Sequence, residues 1–194
     1  AKTVEFQGGR LDENTGTSYN IYIPKGKSGT WNTVNAATYS NTISGEGTLT
    51  VSCPVRKGGT NPNYWYATRT HMALRLNNFA GILTVTSNGD PGGRFTLDTS
   101  NGMPNGTLNI PSGVVVLNSG RTLRIGKVVG NGSLGGNSDF GSGVSGTNAW
   151  EGGNDENWTT NVVVTANAQL IKVGTGKVTW SAACNHTGAP YVNE

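Results

Sequence analysis

The sequence predicts an all-β fold built as a parallel solenoid, and three observations carry that expectation. Helical periodicity is missing, since no window sustains an apolar stripe at i, i+3, i+4 and i+7. Composition suits strands and tight corners: Gly is 30 of 194 residues, and charged residues are 13% against the ~25% of an average soluble chain. Short alternating apolar runs recur between Gly, Asn and Ser, too brief for long hairpin arms. Five Trp, six Tyr and regular Val, Leu and Ile runs supply enough apolar surface for a core, so the Gly and Ser content does not imply disorder.

Taken in order, Lys2 to Leu11 reads as a first strand, with Val4 and Phe6 on one face and a break at Gly8-Gly9. Tyr19 to Pro24 alternates Tyr19, Ile21 and Ile23 against Asn20 and Tyr22, the turn PKGKSG follows, and Trp31 opens a short strand. Ile43 to Cys53 carries Gly45-x-Gly47 and then Leu49, Val51 and Cys53 at alternate, inward positions. The same Gly-x-Gly spacing returns at Val173 to Ala182 and at Val129 to Leu134. Asn78 to Ser87, Arg94 to Asp98, Gly106 to Ile110, Val114 to Leu117 and Thr122 to Ile125 are further short strands. Copies that differ in spacing are ordinary for a β-helix, whose corners vary in length. Gly130 to Trp158 is rich in Gly, Ser and Asn and reads as a loop protruding at residues 130–160. Asn161 to Thr165 resumes the solenoid. The rival architecture is an antiparallel β-sandwich, because Asn101-Gly102 and Asn105-Gly106 suit two-residue hairpin turns.

The last 28 residues contain Leu170, Lys172, Gly174, Gly176, Val178, Trp180, Ser181, Asn185, Thr187 and Gly188 in the order L-x-K-x-G-x-G-x-V-x-W-S followed by N-x-T-G. This pattern resembles the autotransporter-associated β-strand repeat of secreted and cell-surface bacterial proteins. The resemblance implies a right-handed parallel β-helix, used as a stalk, spacer or adhesive surface and usually without catalysis. At roughly 22–25 residues per coil the chain forms about eight coils, stacked at ~4.8 Å per rung. The repeat pattern runs on into G-x-L, whereas Val192-Asn193-Glu194 falls just short of it. A single module within a larger secreted protein, flanked by further domains, is the expectation.

Net charge is +3 with a pI near 9.0. Lys and Arg are scattered and form no stripe, which argues against nucleic acid and leaves acidic polysaccharide as a partner. No apolar run approaches the ~18 residues of a membrane span. Cys53 and Cys184 lie 131 positions apart. In a solenoid, where contacts join neighbouring coils, they are expected to stay unbonded.

For function, Tyr64, Trp65 and Tyr66 form the densest aromatic cluster, followed by Arg69 and His71 and with Trp31 as a possible neighbour. Flat aromatic faces stack on sugar rings while adjacent polar groups meet hydroxyls, so these residues are the candidate glycan platform. The alternative is a packed satellite cluster covering the side of a coil. Asp139, Glu151, Asp155 and Glu156 gather around the Gly-rich stretch as weak calcium candidates, without the EF-hand spacing. The remaining acids, Asp12, Glu13, Glu46, Asp90 and Asp98, are dispersed, and no nucleophile, zinc or phosphate-loop motif is present. The expected function is a non-catalytic, extracellular carbohydrate-binding module without a cofactor. A structural stalk and a polysaccharide lyase or hydrolase are the alternatives.

Overall fold

The computed structural model describes residues 2–13, 19–33, 38–54, 70–72, 74–88, 94–97, 102–118, 122–136, 149–165, 168–182 and 191–192. Among the described residues there are twenty strands and no helix, and every strand pairing is parallel. The long sheet has nine strands, in the order β2 (Arg10–Glu13), β4 (Ser28–Thr33), β7 (Thr48–Pro54), β9 (Ile82–Asn88), β11 (Met103–Ile110), β13 (Thr122–Gly130), β15 (Ala149–Gly152), β18 (Gln169–Lys172) and β20 (Tyr191–Val192). A second sheet of six strands runs from β17 (Val163–Val164) through β14 (Ser133–Gly136), β12 (Val115–Asn118), β10 (Arg94–Leu97) and β8 (Thr70–Met72) to β5 (Thr38–Tyr39). The N-terminal sheet holds three strands, β1 (Thr3–Glu5), β3 (Asn20–Ile23) and β6 (Thr42–Gly45). A two-stranded ribbon joins β16 (Trp158–Thr160) to β19 (Val178–Trp180).

The chain visits these sheets in a repeating order. Strands β3, β4 and β5 follow one another through the N-terminal, long and second sheets, and β6, β7 and β8 repeat the visit. Parallel neighbours need such a crossover, because a tight turn joins only antiparallel strands. Register shows the basic step: Leu11, Trp31 and Val51 share one row at intervals of twenty residues, and Val85 follows after thirty-four. Alternation along each strand then decides the faces. Leu49, Leu83, Leu108 and Val128 form an adjacent row, all buried. Val116, Leu134 and Val164 do the same in the second sheet. Each such side chain contributes on the order of 1.5–3 kcal/mol by leaving water.

Glycine corners make the passes superimpose. Gly45 has φ +103°, and a Cβ there would lie 2.0 Å from the Ile23 carbonyl oxygen. At Gly47 a Cβ would meet Ile23 Cγ2 at 2.3 Å. That close approach lets two amides, Glu46 at 3.1 Å and Gly47 at 3.0 Å, donate to the single Ile23 oxygen. Gly130 and Gly132 repeat the arrangement on Ile110, whose oxygen accepts from Asn131 at 3.0 Å and Gly132 at 2.8 Å. The copies do not occupy equivalent places, however. Gly45 and Gly47 lead from the N-terminal sheet into the long one, Gly130 and Gly132 from the long sheet into the second, and Gly174 and Gly176 into the ribbon. The corner is a local device, while its position in a pass depends on how many residues separate it from the next strand.

Two expectations change. Asn105-Gly106, a hairpin signal, sits inside β11 where the register to β13 shifts between Met103 and Thr107. A Cβ on Gly106 would meet Met103 Cγ at 2.6 Å, so any larger residue there displaces the buried Met103 side chain. The antiparallel sandwich is therefore absent among the described residues. The stretch read as one protruding loop contributes β14, β15 and the start of β16 to the sheets. Its buried Leu134, Ala149 and Trp150 continue the core despite the surrounding glycines. Residues 137–148 lie outside the described part, as does Cys184, so the expectation about its pairing with Cys53 falls outside too.

Candidate functional site

Strands β15 and β18 of the long sheet and the ribbon β16–β19 flank an open cleft of about 200 Å³. Its lining is Gly152, Trp158, Leu170, Lys172, Val178 and Trp180. Local sequence explains why these side chains converge. Leu170 and Lys172 are two apart on β18, so they share a face with their register partners Trp150 and Gly152 on β15. Trp158 pairs with Val178, and Trp180 is two residues further along the same face. Gly152 leaves the space open, since a Cβ there would touch nothing within 4 Å.

The two indoles stand 6.4 Å apart at 58°. Trp180 is held by its Nε1–H, which donates to the Val162 carbonyl at 2.7 Å. Both rings are half-buried, one side packed on the core and the other toward the cleft. Among the described lining residues Lys172 is the one that carries a charge. Its ammonium donates to the carbonyls of Val173, at 2.9 Å, and Gly174. The spacing of Lys172 and Gly174 thus has a local cause: the cation satisfies carbonyls at the φ +76° bend of Gly174. Two stacking faces and an ammonium already engaged by carbonyls suit binding by apolar contact.

Beside the cleft, one corner is stapled to the next by side chains. Asp155 Oδ1 accepts from the Thr175 amide at 3.1 Å and its hydroxyl at 2.9 Å. Asn157 Oδ1 accepts from the Lys177 amide at 2.7 Å, and the Asn154 carbonyl from Gly176 at 2.9 Å. The Thr175 amide, then its hydroxyl, and then the charges of Lys172 and Arg124 hold the Asp155 carboxyl below its ordinary range. Glu156 pairs with Lys127. Among the described residues no three His, Cys, Asp or Glu side chains gather as a metal site. Of the calcium candidates, Asp155 and Glu156 serve these contacts, Glu151 lies on β15 between Arg124 and Ile171 in register, and Asp139 is outside the described residues.

Tyr64, Trp65, Tyr66 and Arg69, the expected platform, also lie outside the described residues. His71 is placed in β8, in register with Thr38 and Thr96. Trp31 is not its surface neighbour but a core residue at 0% exposure. Its indole N–H donates to Glu13 Oε2 at 2.8 Å, and its ring meets Tyr39 edge-on at 5.1 Å. The Tyr19 hydroxyl donates to the same Glu13 oxygen. Burial first, and then the bond to Glu13 and its charge, push the Tyr19 phenol far above its usual range. Glu13, read from the sequence as one of several dispersed acids, is buried against the Trp31 and Tyr19 side chains because β2 sets it in register with Thr33, two residues from Trp31 on β4.

Sequence reasoning missed the Trp158–Trp180 pair. The available signal was two tryptophans, in NWTT and VTWS, each next to an alternating run. No family model, curated protein or solved structure matches the chain.

Proposed function

We propose that the parallel sheets form a right-handed β-helix, akin to the autotransporter-associated repeat, and that the module binds polysaccharide without catalysis as part of a secreted or cell-surface protein. The repeating order of sheet visits and the stacked apolar rows support the helical reading. The observation that carries the binding role is the open cleft walled by Trp158 and Trp180. Aromatic rings held at an angle offer a flat face to a pyranose, and Leu170 and Val178 complete an apolar floor. Removal of one stacking ring costs on the order of 0.5–1.5 kcal/mol beyond area burial, about two- to twelvefold in Kd.

Affinity electrophoresis through gels containing soluble polysaccharides tests this reading. The wild-type protein should be retarded by at least one glycan, with Trp158→Ala and Trp180→Ala each clearly reducing the retardation at unchanged circular dichroism. Retardation that survives both substitutions but is lost in Trp65→Ala would move the site to the Tyr64–Tyr66 cluster. If no neutral or acidic glycan slows the wild type, the binding role falls and the stalk reading takes its place.

A further inference from the structure

The outer face of the long sheet is a second surface, separate from the cleft. Its inward positions are Gly29, Leu49, Leu83 and Leu108, all buried, so the residues on either side of them face out. One outward column runs Ser28, Thr48, Ile82 and Thr107 in direct register. The other runs Thr30, Thr50, Thr84 and Asn109. None of these positions carries a charge. Charge returns at the borders: Arg10 precedes Thr30 in its column and is paired with Asp12 at 2.6 Å, while Lys127 follows Thr107 and is paired with Glu156.

Six of the eight side chains are β-branched, so their χ1 angles are stiff and their methyls and hydroxyls repeat with the backbone. Asn109 Nδ2 donates to Thr84 Oγ1 at 3.3 Å, a bond along the column that leaves the Thr84 proton free to donate outward. Strand spacing sets one repeat at ~4.8 Å, and two residues along a strand set the other at ~6.6 Å. The face is thus an uncharged grid of mostly methyl and hydroxyl groups on stiff β-branched side chains. A small soluble ligand gains little from an open sheet face, which covers only one side of it. A glycan chain would need stacking faces, which the grid lacks. The partner that such a surface fits is itself periodic, neutral and made of hydrogen-bonding oxygens on the same length scale.

We propose that this face adsorbs to ice, the hydroxyls joining its oxygen lattice and the methyls seating in the hollows between. Neutrality suits an uncharged lattice, because a lysine on this face would hold a strongly ordered hydration shell of its own. The assignment is independent of the glycan-binding role of the cleft.

Ice-affinity partitioning tests it, with slowly growing polycrystalline ice and the full chain at low concentration. The wild-type protein is expected to enter the ice fraction well above an inert protein of similar size. Thr50→Lys/Thr84→Lys should be excluded from it, while Tyr22→Lys, on the exposed face of the N-terminal sheet, partitions as wild type. Should the double variant lose its circular dichroism, Thr84→Lys alone serves, with exclusion again expected. Exclusion of the wild type, or unchanged partitioning of the lysine variants, overturns the proposal. Binding to crystalline chitin or cellulose in place of ice, lost in the same variants, overturns it as well and reassigns the face to a solid polysaccharide.

Discussion

At the scale of single residues, the fold depends on a few glycines for two separable reasons. Gly8 and Gly45 both have positive φ, at +134° and +103°. Around Gly8 a Cβ would meet nothing within 4 Å, whereas at Gly45 it would strike the Ile23 carbonyl at 2.0 Å. Gly8→Ala should therefore cost only the backbone strain, about 1 kcal/mol. Gly45→Ala adds displacement of a carbonyl that accepts two amides, for a total on the order of 3 kcal/mol. Urea unfolding midpoints of the two variants check the difference, and equal losses would show that space at the corner is irrelevant. Glu13 makes the complementary point about polar groups. A buried carboxylate persists because the Trp31 indole and the Tyr19 hydroxyl both donate to it.

At the scale of elements, corners stack on corners through Asn and Asp side chains, and this produces a pH response. Asp155 is fully exposed, yet the Thr175 amide and hydroxyl hold its carboxyl below the usual value of 3.8. Its folded pKa lies below the unfolded one, so the contact stabilises the corner above about pH 4. That contribution is lost as pH falls through the lower folded value. Asp155→Asn keeps an oxygen acceptor but loses the charge. The gap in thermal midpoint between wild type and Asp155→Asn is expected to shrink steadily as pH is lowered from about 6 to about 2. A gap that is constant with pH would assign the staple to geometry alone.

At the scale of the whole molecule, each strand leans mainly on its neighbours in register, so stability is expected to grade along the stack. Strands β7, β9 and β11 have a partner on both sides and rows of buried leucines beneath them. Strand β1 has one partner, β3, and only Val4 half-buried. Native-state hydrogen exchange should show the slowest amides in β7 to β11 and faster exchange in β1. Uniform protection throughout would mark a single cooperative unit.

Much of this was legible in the chain. The all-β class, the glycine corners and the inward apolar rows follow from local alternation and from φ angles that only Gly adopts at little cost. Leu49 and Val51 were placed correctly because a strand shows its buried face within its own few residues. What the tertiary structure alone decided is which distant residues share a row. The step between rows is twenty residues in one place and thirty-four in another, so neither Trp158 beside Trp180 nor Glu13 beneath Trp31 can be read from spacing. The same holds for the columns of Thr30, Thr50 and Thr84, whose common face exists only once parallel hydrogen bonds set three separated segments in register.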